Sequence, residues 1–143
     1  MRIADVLQEK NHEVVTVPPD TPVRDLLHVL GEHNIGAVVV SSDGTTAEGI
    51  VSERDVVRRL TEGTAVLEQE TAVIMTSPVH TCSPQDGVDD LMRVMTEQRI
   101  RHVPVVVEDE LRGIVSIGDL VKSRIRQLEF ERDQLSSYVT TTQ

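Results

Sequence analysis

The chain carries the same pattern twice, about 65 residues apart. In the first copy Val23, Leu26, Leu27 and Leu30 fall at i, i+3, i+4 and i+7, one face of a helix. Adding 65 to each number gives Val88, Leu91, Met92 and Met95, again apolar and again one face. Thr21 and Asp86 are the expected N-caps, and Pro22 suits a first helical position. The same shift carries Thr16 onto Thr81 and Ile35 onto Ile100. Each helix is followed by a β-branched run, residues 35–40 and 100–107, of the kind that forms buried strands. A turn comes next, then Gly49-Ile50-Val51-Ser52-Glu53-Arg54-Asp55 in one copy and Gly113-Ile114-Val115-Ser116-Ile117-Gly118-Asp119 in the other, now 64 apart. The one-residue slip falls in the turn, where a length change is easily absorbed.

Each copy therefore reads as strand, helix, strand, strand, helix. A sheet that small cannot bury both faces alone, so two copies must share a core. The expected fold is mixed α/β (α+β): tandem repeats, each a small three-stranded sheet with helices on it, packed with pseudo-twofold symmetry. The expected boundaries are 1–63 and 64–124, with a C-terminal helical extension and frayed tail over 125–143. The length of 143 residues suits such a pair. Phe130 and Tyr138 are the only aromatics against 24 valines, so the core must be aliphatic.

Charge and cysteine content narrow the chemistry. Lys and Arg number 14 against 24 Asp and Glu, a net charge of −10 that argues against bulk binding to nucleic acid. Cys82 is the one cysteine, which excludes an internal disulfide and a cysteine-based zinc site. His12, His28, His33 and His80 show no metal-ligand spacing. Cys82 lies two residues from His80, but no acid is placed to orient a thiol–imidazole pair, so neither metal nor catalysis is expected. The N-terminus lacks an apolar signal stretch and the longest apolar run is Val103 to Val107, so a cytoplasmic protein without membrane segments is the expectation.

The duplicated Gly-Ile-Val-Ser-x-x-Asp at 49–55 and 113–119, with the Arg101-His102-Val103-Pro104-Val105 run, resembles the CBS domain. Over roughly residues 1–124 the chain resembles a CBS pair, or Bateman module, of the free-standing prokaryotic type. The resemblance implies a non-catalytic regulatory sensor with no cofactor. Its ligand would be an adenosine compound (AMP, ADP, ATP, NAD or S-adenosylmethionine) held in clefts between the repeats. It also implies a homodimer and an unknown protein target.

The resemblance assigns roles to particular residues. Asp55 and Asp119 would accept hydrogen bonds from both ribose hydroxyls; the plainer reading is an acid favoured by a helix N-terminus. Ser52 and Ser116 would cap the following helix and help orient a phosphate. Arg54, Arg101 and His102 would meet the phosphates, since a guanidinium fork matches them; the alternative is a surface ion pair. Where the second copy has Arg101 and His102, the first has Gly36 and Ala37, so the two clefts are not equivalent. Facing repeats would bring Arg101 and His102 to Asp55, and Arg54 to Asp119. Thr16, Val17, Thr81 and Cys82 would offer backbone amides to adenine, with Ile35 and Ile100 against its faces.

After Asp119 the helical pattern continues through Leu120, Val121, Arg124, Ile125, Leu128, Leu135 and Val139 without Pro or Gly. Ile125, Leu128, Leu135 and Val139 are spaced as in a heptad seam. A helix of about 20 residues making a dimer or partner contact is expected, with Thr140 to Gln143 fraying; the plainer reading is an amphipathic helix folding back on its own domain. The competing function is a ligand-free structural or interaction protein acting through dimerisation and this helix. Nucleic-acid binding through Arg54, Arg58, Arg59, Arg99 and Arg101 is disfavoured by the net charge.

Overall fold

Both apolar stripes form helices, and the chain order follows the repeat. The computed structural model describes residues 1–10 and 14–142, with side chains through residue 139. The first elements are α1 (Ile3–Glu9), β1 (Thr16–Val17), α2 (Val23–His33), β2 (Ala37–Val40), β3 (Gly49–Ser52) and α3 (Glu53–Leu60). A 3-10 turn (Thr64–Glu68) leads to α4 (Thr71–Ile74), α5 (Val88–Gln98), β4 (His102–Val107), β5 (Glu110–Ser116) and α6 (Ile117–Thr142). His12 and Gln143, where a non-ligating histidine and a frayed end were expected, lie outside the described residues. No helix among the described residues is long and apolar enough to cross a membrane.

The chain forms two compact units that interleave the repeats. One holds 13–83 and 103–114, the other 1–12, 84–102 and 115–143. In the first unit β1 pairs in parallel with β2, and β2 pairs antiparallel with β3. Val23, Leu26 and Leu30 of α2, Val38 and Val40 of β2, Val51 of β3 and Val56 of α3 are all buried in one cluster. Each fully buried side chain of this size contributes about 1.5–3 kcal/mol, so an all-aliphatic core suffices. The second unit buries Ile3 and Val6 of α1, Val88, Leu91 and Met95 of α5, and Leu120 of α6.

The opening segment of each repeat completes the other repeat's helices. In one unit Thr71 N–H donates to Thr21 O (2.8 Å), Ala72 N–H to Pro19 O (3.0 Å) and Val23 N–H to Gln69 O (2.9 Å). In the other, Ile3 N–H donates to Asp86 O (2.9 Å), Ala4 N–H to Pro84 O (2.9 Å) and Val88 N–H to Met1 O (3.1 Å). These are the same three bonds at shifted numbers. They also correct the expected caps. The N-cap positions are Pro22 and Gly87, neither with a side-chain cap bond. Thr21 and Asp86 instead give their carbonyls to the incoming segment.

The second copy departs from the expected three strands. Its sheet has two, β4 and β5, and the third strand shrinks to a single parallel bridge, Cys82 to Val105. In the first copy Thr16 lies opposite Val39 as a further pair. The equivalent of Val39 is Pro104. Proline has no N–H to give the next rung, so the ladder stops.

Candidate functional site

Each Ser-x-x-Asp motif sits where a strand runs directly into a helix. Ser52 ends β3 and caps α3: its hydroxyl accepts from Asp55 N–H (3.4 Å). Asp55 Oδ2 reaches back to accept from Ser52 N–H (2.8 Å) and from the Ser52 hydroxyl (3.1 Å). This reciprocal capping box satisfies two otherwise orphaned donors. The second copy repeats it: Ser116 Oγ accepts from Asp119 N–H (3.0 Å), and Asp119 Oδ2 accepts from Ser116 N–H (2.9 Å). The turns are pinned from behind in the same way. Glu53 N–H donates to Gly36 O (3.0 Å) and Ile117 N–H to Arg101 O (2.8 Å).

The two carboxylates are both half-buried yet differ in partner. Asp119 Oδ2 also accepts from Lys10 Nζ at 2.7 Å, an ion pair whose side chains are 34% and 28% exposed. Burial works to raise the Asp119 carboxyl. The hydrogen bonds from Lys10 and Ser116, with the lysine charge, outweigh it and hold the group below the usual aspartate value. Asp55 has no cationic partner among the described residues, and its printed bonds all come from Ser52. Nothing in the local sequence signals this difference, because Lys10 is 109 residues from Asp119.

In one unit the sheet gathers several of the expected residues. Ala37 lies opposite Ser52, so Ile35 and Gly36 run into the end of the sheet where the Ser52–Asp55 turn sits. Thr16 lies opposite Val39, two positions further along β2. Val17 is buried in the core, and its carbonyl accepts from Ser41 N–H (2.9 Å). Thr81 is half-buried, and Cys82 is a buried thiol. Cys82 N–H donates to Pro104 O (3.0 Å) and its carbonyl accepts from Val106 N–H (2.9 Å). Strand alternation then turns the backbone groups of Thr16 and Thr81, one residue earlier, toward the open edge.

Ile35 and Ile100 each follow a left-handed residue, Asn34 (φ 52°) and Arg99 (φ 57°). Their N–H groups donate to Leu30 O (3.1 Å) and Met95 O (3.0 Å), the bond that closes a Schellman turn. Both are half-buried. Arg54 is exposed, beside Asp55 on α3. Arg101 is exposed and His102 half-buried, both in the same unit as Asp119.

The motif glycine has its own physical cause. A Cβ on Gly49 would meet Met75 Sδ at 2.5 Å and Thr76 O at 3.0 Å. Thr76 bonds across to Ile50 at that point, N–H to O at 2.9 Å and O from N–H at 3.1 Å. Only glycine lets the segment after α4 lie this close.

Known proteins share this fold. The CBS domain family matches the chain over residues 3–62 and 71–126. A crystal structure of a CBS-domain containing protein from Agrobacterium tumefaciens is 44% identical, covers 87% of this chain and 99% of that one, and superposes with a TM-score of 0.82. A mitochondrial CBS domain-containing protein from Arabidopsis thaliana is 32% identical over 146 residues, 96% of this chain and 71% of that one. The fold is also that of a CBS domain pair solved in complex with 5′-methylthioadenosine and S-adenosyl-L-methionine (22% identity, TM-score 0.77, 89% of this chain and 98% of that one). The chain belongs to the CBS domain family and carries two copies of the domain.

Proposed function

We propose that the chain is a non-catalytic regulatory module that binds an adenosine-containing ligand and relays its presence to a partner protein. The carrying observation is the duplicated capping box. Each carboxylate is fixed through Oδ2 by the serine three residues before it, which leaves Oδ1 of Asp55 for an incoming hydroxyl. Asp55 and Asp119 hold the ribose. Ser52, Arg54, Ser116, Arg101 and His102 serve the phosphates, and the backbone edges at Thr16 and Thr81 meet the base beside Ile35 and Ile100. The fold neighbour that holds two adenosyl compounds supports this ligand class. The Asp119 site works against its Lys10 ion pair, so the Asp55 site fills first.

A ligand acts on a partner only through different affinity for two states of the protein. The test is a thermal-shift panel with AMP, ADP, ATP, NAD and S-adenosylmethionine on the wild type, Asp55→Ala and Asp119→Ala. At 100-fold over the dissociation constant a ligand adds about 2.7 kcal/mol, which moves the midpoint by several degrees. One nucleotide should raise the midpoint, and Asp55→Ala should remove more of the rise than Asp119→Ala. No shift with any of the five would favour the second reading, a homodimeric interaction protein. The observation behind that reading is the row of exposed apolar residues on α6.

A further inference from the structure

Helix α6 leaves its unit partway along. Leu120 and Ser123 are buried, Ser123 donating to Glu9 Oε2 at 2.7 Å, while every residue from Leu128 to Val139 is exposed. A stretch of twelve helical residues this exposed is marginal in water on its own. Yet this stretch carries Leu128 (49% exposed) and Leu135 (67%), continuing from Ile125 (50%). The full row is Val121, Ile125, Leu128, Arg132, Leu135 and Val139, with steps of 4, 3, 4, 3 and 4. That is an unbroken heptad seam, with Ile125 at an a position, Leu128 and Leu135 at d, and one polar residue, Arg132, at a.

We propose that α6 forms a parallel two-stranded coiled coil with a second copy of this chain. Ile at a with Leu at d favours two parallel strands, and a single polar a residue fixes register at a cost in stability. The flanking charges choose the direction. In the parallel arrangement Arg124, at g, faces Glu129, at e, of the second copy, and the two Arg132 side chains that face each other at a are each offset by the second copy's Glu131, at g. An antiparallel pairing over the whole row sets Glu129 against Glu129 and Glu131 against Glu131, like charges at close range. Shifting that pairing by one heptad relieves the charges but leaves Leu135 uncovered. This reading extends the dimer by naming its face and polarity, and it stands or falls separately from the nucleotide site.

The test uses the full chain at tens of micromolar. Light scattering should give about twice the 15.9 kDa chain mass for the wild type. Leu128→Glu/Leu135→Glu should run as a monomer with an unchanged nucleotide shift, and should lose helical circular dichroism at 222 nm by no more than the distal turns of α6 contribute. Leu135→Cys under dissolved oxygen should give a disulfide-linked dimer on a non-reducing gel, because d residues of a parallel pair sit within the span a disulfide needs. The wild type, whose Cys82 is buried, should give none. A monomeric wild type, or a double variant that stays dimeric, overturns the proposal. A dimer whose Leu135→Cys variant does not cross-link overturns the parallel arrangement.

Discussion

Replacing Lys10 with Met keeps the aliphatic stem and removes the charge that Asp119 holds. The pair is intermediate in exposure, 34% and 28%, with a 2.7 Å hydrogen bond. Exposed pairs are worth about 0.2–1 kcal/mol, and hydrogen bonds to buried charges about 1.5–3 kcal/mol. A half-buried pair falls between, at about 1–2 kcal/mol. For a chain of this length that is roughly 3–6 °C in the unfolding midpoint at pH 7. The sign with pH follows from linkage. The folded Asp119 carboxyl lies below its ordinary value of 3.8, so its contribution is present above that value and lost as pH falls through the folded one. The gap between wild type and Lys10→Met should therefore be full at pH 6–7 and close toward pH 3. Arg24→Met provides the control. Its pair with Glu68 is 55% and 71% exposed, so the midpoint should move by about 2 °C or less. Differential scanning fluorimetry across pH 3–7 reads all three proteins. A gap of the same size at pH 3 and pH 7 would mean that the loss does not depend on the Asp119 charge, and the ion-pair argument would fail.

Two further substitutions probe the frame around the site. Gly49→Ala forces a Cβ against Met75 and the Thr76 carbonyl, and urea unfolding should show a loss of about 1–3 kcal/mol. Asp43 accepts from Thr45 N–H (2.9 Å), Thr46 N–H (2.8 Å), Thr46 Oγ1 (3.0 Å) and Ser41 Oγ (3.0 Å) in the loop before β3. The Thr46 and Thr45 amides hold its carboxyl far below the usual range. Asp43→Ala should speed hydrogen exchange at those two amides roughly tenfold. In the wild type their protection should persist at pH 4, since it is lost only as pH falls through the depressed value. Equal exchange in both proteins would remove the loop's assigned anchor.

Much of this fold is legible because the repeat is written in apolar spacing. The α2 and α5 stripes and the two valine-rich strands appear at an offset of 65, and the strand-to-helix motifs at 64. The Ser-x-x-Asp turns are legible as capping chemistry, and both form as capping boxes. What escapes notice is the exchange of opening segments. Arg2-Ile3-Ala4 and Glu70-Thr71-Ala72 correspond at an offset of 68, not 65, and α4 is only four residues long. Too few apolar positions repeat there to stand out. The caps at Pro22 and Gly87 follow from that exchange, since the carbonyls of Thr21 and Asp86 are taken by it. The loss of a third strand in the second copy is readable in retrospect from Pro104 alone. The Lys10–Asp119 pair is not, because a contact between distant residues leaves no periodic trace.

The ribose role of the two aspartates is the centre of the account, and one comparison tests it most directly. Isothermal titration of the nucleotide giving the largest thermal shift should be repeated with its 2′,3′-dideoxy form, which keeps base and phosphates but lacks both hydroxyls. Hydrogen bonds to a charged group are worth about 1.5–3 kcal/mol, so the dideoxy form should bind roughly 10- to 100-fold more weakly, and Asp55→Ala should bind the two forms alike. Equal affinity of the wild type for both would contradict the reading of Asp55 and Asp119 as ribose acceptors.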